Sequence, residues 1–106
     1  MFELIFHPEA ENELYTLEDT MQAKVLSALD KLEAKGNKLR YPHTDIIQDG
    51  LFELRAGKKH ITRTFFAFTK DRKIYILRTF IKKTQKTPTA EIKLALKRLE
   101  ELINDN

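Results

Sequence analysis

GLFELRAGKKHITRTFFAFTKDRKIYILRTFIKKTQKTP, residues 50–88, is the stretch whose reading decides the fold. It divides into three runs rich in Phe, Ile, Leu, Thr and Tyr, at about 51–55, 61–68 and 73–80. The turn-like breaks Ala56-Gly57-Lys58-Lys59 and Thr69-Lys70-Asp71-Arg72 separate them. Branched and aromatic side chains suit a pleated surface and the breaks suit turns, so the stretch reads as an antiparallel meander leading through a basic turn into a helix.

Side chains alternate across a strand, so each run divides between two faces. One face takes Phe52, Leu54, Thr62, Thr64, Phe66, Phe68, Tyr75, Leu77, Thr79 and Ile81, with no charge among them, and is the expected core face. The other takes Leu51, Glu53, Arg55, Ile61, Arg63, Phe65, Ala67, Ile74, Ile76, Arg78, Phe80 and Lys82. In a meander Arg55, Arg63, Arg78 and Lys82 then fall at one edge of the sheet beside Glu53, while the far end of that face stays apolar. A one-residue slip in register would break this arrangement.

Working outward, FELIF (residues 2–6) reads as a further strand, and His7-Pro8-Glu9 stops it and opens a helix. Ala10, Leu14 and Leu17 give that helix a narrow apolar stripe up to about Glu18. Asp19 or Thr20 can cap a second helix carrying Met21, Val25, Ala28, Leu29 and Leu32, which Gly36-Asn37 ends. The uncharged sheet face is the expected partner of this helical hairpin. Residues 38–49 (KLRYPHTDIIQD) lack a clear period and read as a connecting loop, with Ile46 and Ile47 as core anchors and His43 as an ordinary loop histidine. Thr87 and Pro88 open a last helix, whose stripe of Ile92, Ala95, Leu96, Leu99, Leu102 and Ile103 suits the apolar end of the second face, with Lys93, Lys97 and Arg98 turned away. The expected fold is α+β: an antiparallel-rich sheet, built from the N-terminal strand and the three-stranded meander, packed on the helical hairpin and closed by a C-terminal helix.

At 106 residues the chain is expected to form one domain, 1–106, with a modest core. It has no cysteine, which leaves no disulfide framework or thiolate metal site and fits a reducing compartment. Neither a leader nor a bilayer-spanning run is recognisable, so a soluble, cytoplasmic protein without a membrane partner is expected. The net charge of +3 hides an asymmetry. Residues 1–34 hold eight carboxylates against Lys24 and Lys31 alone, whereas residues 35–88 hold fourteen Lys and Arg against four carboxylates. Such polarity suits one face for a polyanion, although a solvated basic surface has the same composition.

No phosphate-binding glycine loop or His/Cys metal spacing is present, and Ser27, the only serine, has no Ser/His/Asp set around it. The remaining chemistry is cationic, at Arg55, Arg63, Arg78, Lys82, Lys83 and Lys86. Clustered cations grip a phosphodiester and stabilise charge building on it during attack. The plainer reading of Glu53 and Arg63 is a cross-strand ion pair worth under about 1 kcal/mol, and that of Lys58, Lys59 and Lys70 is solvated turn lysines. Lys82, Lys83 and Lys86 stand apart because they flank a strand-to-helix turn whose exposed amides also favour phosphate.

GLFELR, then Arg63-Thr64-Phe65-Phe66, then residues 77–88 (LRTFIKKTQKTP) followed by Ala90-Glu91-Ile92, resemble the HigB-like, phage-derived (Gp49-like) branch of the RelE/ParE toxin superfamily. With the order of elements, the resemblance covers essentially the whole chain and implies a RelE-like fold. It implies a type II toxin that cleaves mRNA in the ribosomal A site without metal or other cofactor, is monomeric alone, and is held inactive by a HigA-like helix-turn-helix antitoxin. By motif, Arg55, Arg63, Lys82, Lys83 and Lys86 take the catalytic positions, with Glu53, Lys58, Lys59 and Arg78 as RNA-binding neighbours. Phe66 stands where the family often has Tyr, so no tyrosine hydroxyl is assumed. The shared scaffold leaves two alternatives: a ParE-like gyrase inhibitor without nuclease activity, and a non-catalytic nucleic-acid-binding phage remnant.

Overall fold

The computed structural model describes residues 1–57 and 61–105. Its elements are β1 (Glu3–Phe6), α1 (Pro8–Tyr15), α2 (Asp19–Lys35), β2 (Thr44–Gln48), β3 (Leu51–Ala56), β4 (Thr62–Thr69), β5 (Lys73–Ile81) and α3 (Thr89–Asn104), with a 3-10 turn at Gly36–Lys38. The strands form one five-stranded sheet in the order β1-β5-β4-β3-β2. Only β1 and β5 pair in parallel; the other neighbours are antiparallel.

The helices start and stop for local reasons. His7 caps α1, its Nδ1 accepting from the Glu9 amide at 3.1 Å, and Pro8 fills the first turn, where its missing N–H costs nothing. Glu18, rather than Asp19 or Thr20, caps α2 by accepting from the Met21 amide at 2.9 Å. Gly36 ends α2 at φ +53°, and a Cβ there would lie 2.0 Å from the Phe2 ring, so no larger residue fits.

Two cores lie on opposite sides of the sheet. Leu14, Val25, Leu29 and Leu32 of the hairpin pack with Leu54, Phe66, Ile74 and Ile76, next to the ring cluster of Phe2, Phe52 and Phe68. On the other side Ala95, Ile92, Leu96, Leu99 and Leu102 of α3 cover Leu51, Phe65, Tyr75, Leu77 and Phe80. Ile103 is 55% exposed and falls outside the stripe.

Two sequence expectations are corrected here. Residues 44–48 form an edge strand instead of part of a loop, with Ile47 packed against the α3-side core and Ile46 59% exposed. A strand with one free edge and a register shift between Ile46 and Gln48 shows no clean alternation, which hid it. The second correction concerns β5, where Phe65 pairs with Arg78 and Phe66 with Ile76, leaving Leu77 as the extra residue of a β-bulge. The bulge sends Ile74 and Ile76 to the hairpin side and Tyr75 and Leu77 to the α3 side, opposite to strict alternation. Beyond it the expected register returns, and the buried hydroxyls of Thr64 and Thr79 meet at 3.0 Å.

Candidate functional site

The charged row lies on the α3 side of β2, β3 and β4, toward the sheet end that carries Ala56, Thr62 and Ile81. Register places like charges directly opposite each other twice: Asp45 faces Glu53, and Arg55 faces Arg63. Alone, each such pair is destabilising. Diagonal ion pairs resolve both. Arg55 bonds Glu53 at 2.8 Å and Asp45 at 3.0 Å, and Glu53 stands 3.4 Å from Arg63, giving an alternating chain Asp45, Arg55, Glu53, Arg63. Tyr41 flanks it, its ring centroid 5.2 Å from the Arg55 guanidinium.

The chain is incomplete at one end. Glu53 and Arg63 are 2% and 9% exposed. Among the described residues, Glu53 Oε1 and Arg63 Nε have no hydrogen-bond partner, although Arg63 donates from its other nitrogen to the Thr62 carbonyl at 3.2 Å. Burial lowers the Arg63 pKa from its ordinary value, opposed by the charge of Glu53 and helped by that of Arg55. For Arg55 burial also acts downward, but hydrogen bonding and charge from Glu53, with Tyr41 and Asp45, carry its pKa upward. Two arginines on adjacent strands thus sit in different electrostatic states: Arg55 is bonded to two carboxylates, whereas Arg63 is held to Glu53 by charge at 3.4 Å without a hydrogen bond.

The basic turn departs from the same end. The Lys82 amide donates to the Ile61 carbonyl at 2.7 Å, tying the turn to the start of β4 beside Thr62 and Arg63. Lys82 is half-buried, and Lys83 and Lys86 are exposed; none has an ion pair among the described residues. Lys58 and Lys59 lie outside the described residues. Phe66 is 1% exposed in the hairpin-side core and contributes nothing to the row.

Arg78 belongs to a separate constellation. It grips Glu91 of α3 with two bonds, at 2.7 and 3.0 Å, and Glu13 of α1 at 2.6 Å. Glu13 also accepts from Arg98 and from the Thr79 amide at 3.1 Å, on the stretch of β5 that extends past its pairing with β1. Arg98 donates in turn to the Leu77 carbonyl at 3.0 Å, next to the bulge. Arg98 is 8% exposed and turned toward the sheet, not away from it. Glu13, Glu91 and Arg98 were not singled out by sequence reasoning, yet the spacing held a signal. Glu91, Ala95, Arg98 and Leu102 fall at i, i+4, i+7 and i+11, one helix face with buried Ala95 in the middle.

The strand order and three helices define the class of molecule. A crystal structure of the isolated E. coli RelE toxin superposes with a TM-score of 0.64 over 93% of this chain and 99% of that chain, at 12% identity. At that identity the likeness is one of fold, and the fold is RelE-like α+β. The family is narrower. The model for phage derived protein Gp49-like (DUF891) matches residues 12–100, and the chain belongs to that family. No curated protein matches the chain.

Proposed function

We propose that the protein is the toxin of a type II toxin–antitoxin pair, an endoribonuclease that cuts mRNA in the ribosomal A site. The observation that carries this reading is the pairing of Arg55 with Arg63 in register, held by Glu53, at the sheet end from which the Lys82-Lys83 turn departs. The RelE fold and the motifs of the Gp49-like family support it.

Arg55, Arg63, Lys82, Lys83 and Lys86 surround a scissile phosphate. The ribose 2′-oxygen attacks the adjacent phosphorus, its proton is removed, the bond to the 5′-oxygen breaks, and that oxygen takes up a proton. The products are a cyclic 2′,3′-phosphate and a 5′-hydroxyl. Guanidinium and ammonium groups supply the positive charge that the pentacovalent phosphorane needs, so the reaction requires no metal. Glu53 orients both arginines, a positioning role. Arg78, which ties β5 to α1 and α3 through Glu13 and Glu91, stands one step back from the phosphate. The physiological partner is a helix-turn-helix antitoxin of HigA type, and the free toxin is a cytoplasmic monomer.

The test is to express the chain and map new 5′-hydroxyl ends on messages with and without ribosomes. Codon-phased cuts are expected only with ribosomes, and Arg63→Ala and Lys83→Ala should each relieve growth inhibition while keeping a folded circular dichroism spectrum. Inhibited supercoiling without cuts would replace this reading by the gyrase-inhibitor one.

A further inference from the structure

A second basic feature lies on the other side of Arg55. Between α2 and the end of β3 runs a cleft of about 350 Å³, at the small end of the range for ligand sites. Lys24 and Lys31 of α2, His43 ahead of β2 and the Arg55–Gly57 end of β3 line it, with Leu39 and Leu54 beneath. Lys24, Ser27 and Lys31 fall at i, i+3 and i+7, so they share one helix face. Among the described residues no carboxylate lines the cleft.

The placement of the two lysines stands out against the charge of this part of the chain. Residues 1–34 contain eight carboxylates and only two Lys or Arg, and both of those cations open onto this cleft. Neither forms an ion pair among the described residues, whereas Arg78 and Arg98 are fully committed to carboxylates. A concave site with one sign of charge and apolar walls focuses field and draws an anion. The exposed lining is more apolar than polar and adds a second requirement, because a bare phosphate would leave that apolar surface wet. Cationic rim and apolar floor together match a single-stranded nucleotide, with a phosphate for the lysines and a ring face for the floor.

We propose that this cleft is a subsite for one nucleotide of single-stranded RNA, adjoining the nucleotide held at Arg55 and Arg63. It rests on the ribonuclease reading above and extends it: the arginine row lies on the α3 side and the cleft on the hairpin side, and both reach the sheet end at Ala56 and Gly57, round which one strand passes.

The experiment is an NMR titration of the whole protein with a 2′-O-methyl RNA hexamer, which the proposed reaction cannot cut, alongside fluorescence anisotropy at several salt concentrations. Saturating amide shifts are expected at Ser27, Ala28, Lys31 and Leu54. The Lys24→Ala/Lys31→Ala double variant should bind about tenfold more weakly at moderate salt. Its slope of log affinity against log salt should be shallower by about 0.7, for the one phosphate that the lysines hold on a single strand. Ser27→Phe, which fills the cleft without changing charge, should weaken binding as well. Unchanged affinity and slope in both variants overturn the proposal, as do shifts confined to Arg63 and residues 82–86. Equal binding of hexaglutamate in the cleft overturns it in favour of an acidic protein segment. Cleavage of messages without cleft binding removes this subsite alone, whereas cleft binding without cleavage removes the ribonuclease reading alone.

Discussion

Two arginine pairs, Arg55 with Arg63 on adjacent strands and Arg78 of β5 with Arg98 of α3, are built from the same side-chain types and have opposite characters. Arg78 and Arg98 are closed around Glu13 and Glu91, with further bonds from Glu13 to the Thr79 amide and from Arg98 to the Leu77 carbonyl. Arg55 and Arg63 share Glu53, and the last contact of their chain is a 3.4 Å approach in which two buried polar atoms stay unpartnered among the described residues. The closed set fastens α1 and α3 to β5. The looser set lies at the sheet end from which the Lys82-Lys83 turn departs, and Lys82, Lys83 and Lys86 have no ion pair among the described residues. Arginine content alone does not separate structure from chemistry here; completeness of the hydrogen bonding does.

The sharpest way to break this contrast is to truncate one arginine from each pair and read activity and stability together. Arg63→Ala should lower message cleavage by about 100-fold or more, the scale for losing one charge-stabilising donor, with little change in melting temperature. Arg78→Ala should do the reverse. It leaves Glu91 without this partner and Glu13 with Arg98, both carboxylates 20% exposed, so the cost of a broken buried pair is reduced by solvent screening to about 2 kcal/mol. For a domain of this size that corresponds to about 10 °C in thermal midpoint. If Arg78→Ala abolished cleavage at an unchanged midpoint, the division between the two pairs would be wrong.

Much of this was legible in the sequence because local signals agreed with one another. The meander had its alternation and turn breaks, the hairpin and α3 had apolar stripes with Pro8, Gly36 or Pro88 at an end, and alternation put Arg55 and Arg63 at the sheet end from which the Lys82-Lys83 turn departs. What was illegible depended on tertiary context. β2 carries a register irregularity and an exposed Ile46, so it has no period to detect. The bulge at Leu77 adds one residue to β5, and nothing in KIYILRTFI marks where the alternation changes phase. Arg78 looked like an extra phosphate grip because its partners come from α1 and α3, 65 residues before it and 13 after it. Ion pairs of that kind are fixed by packing, which spacing on one strand does not reveal.

A smaller effect sharpens the open pair. Glu53→Gln removes the charge between Arg55 and Arg63 while keeping the shape, so two guanidinium groups on directly opposed residues lose their shared counter-charge. The expected loss is about 1 kcal/mol, and because Glu53 is 2% exposed it should change little between about 0.1 M and about 1 M ionic strength. Urea midpoints at the two salt concentrations measure it. A loss that vanishes at the higher salt would mean that solvent ions reach the pair and that the site is open.

The smallest expected effect belongs to the closed pair and is seen in acid. Burial, the largest single influence on Glu13, raises its pKa, but Arg98, the Thr79 amide and Arg78 together bring it below the ordinary value of 4.5. A carboxylate whose folded pKa is depressed contributes stability that is fully present above its unfolded value and is lost as pH falls through the folded one. The wild-type urea midpoint should therefore drop between pH 5 and the acid limit more than that of Glu13→Gln, which has no proton to take up there. The difference between the two curves isolates the Glu13 carboxylate, which joins α1 to the stretch of β5 beyond its pairing with β1. Parallel curves would show that Glu13 is held by geometry alone, and the closed arginine pair would then owe its stability to Glu91 and the Leu77 carbonyl.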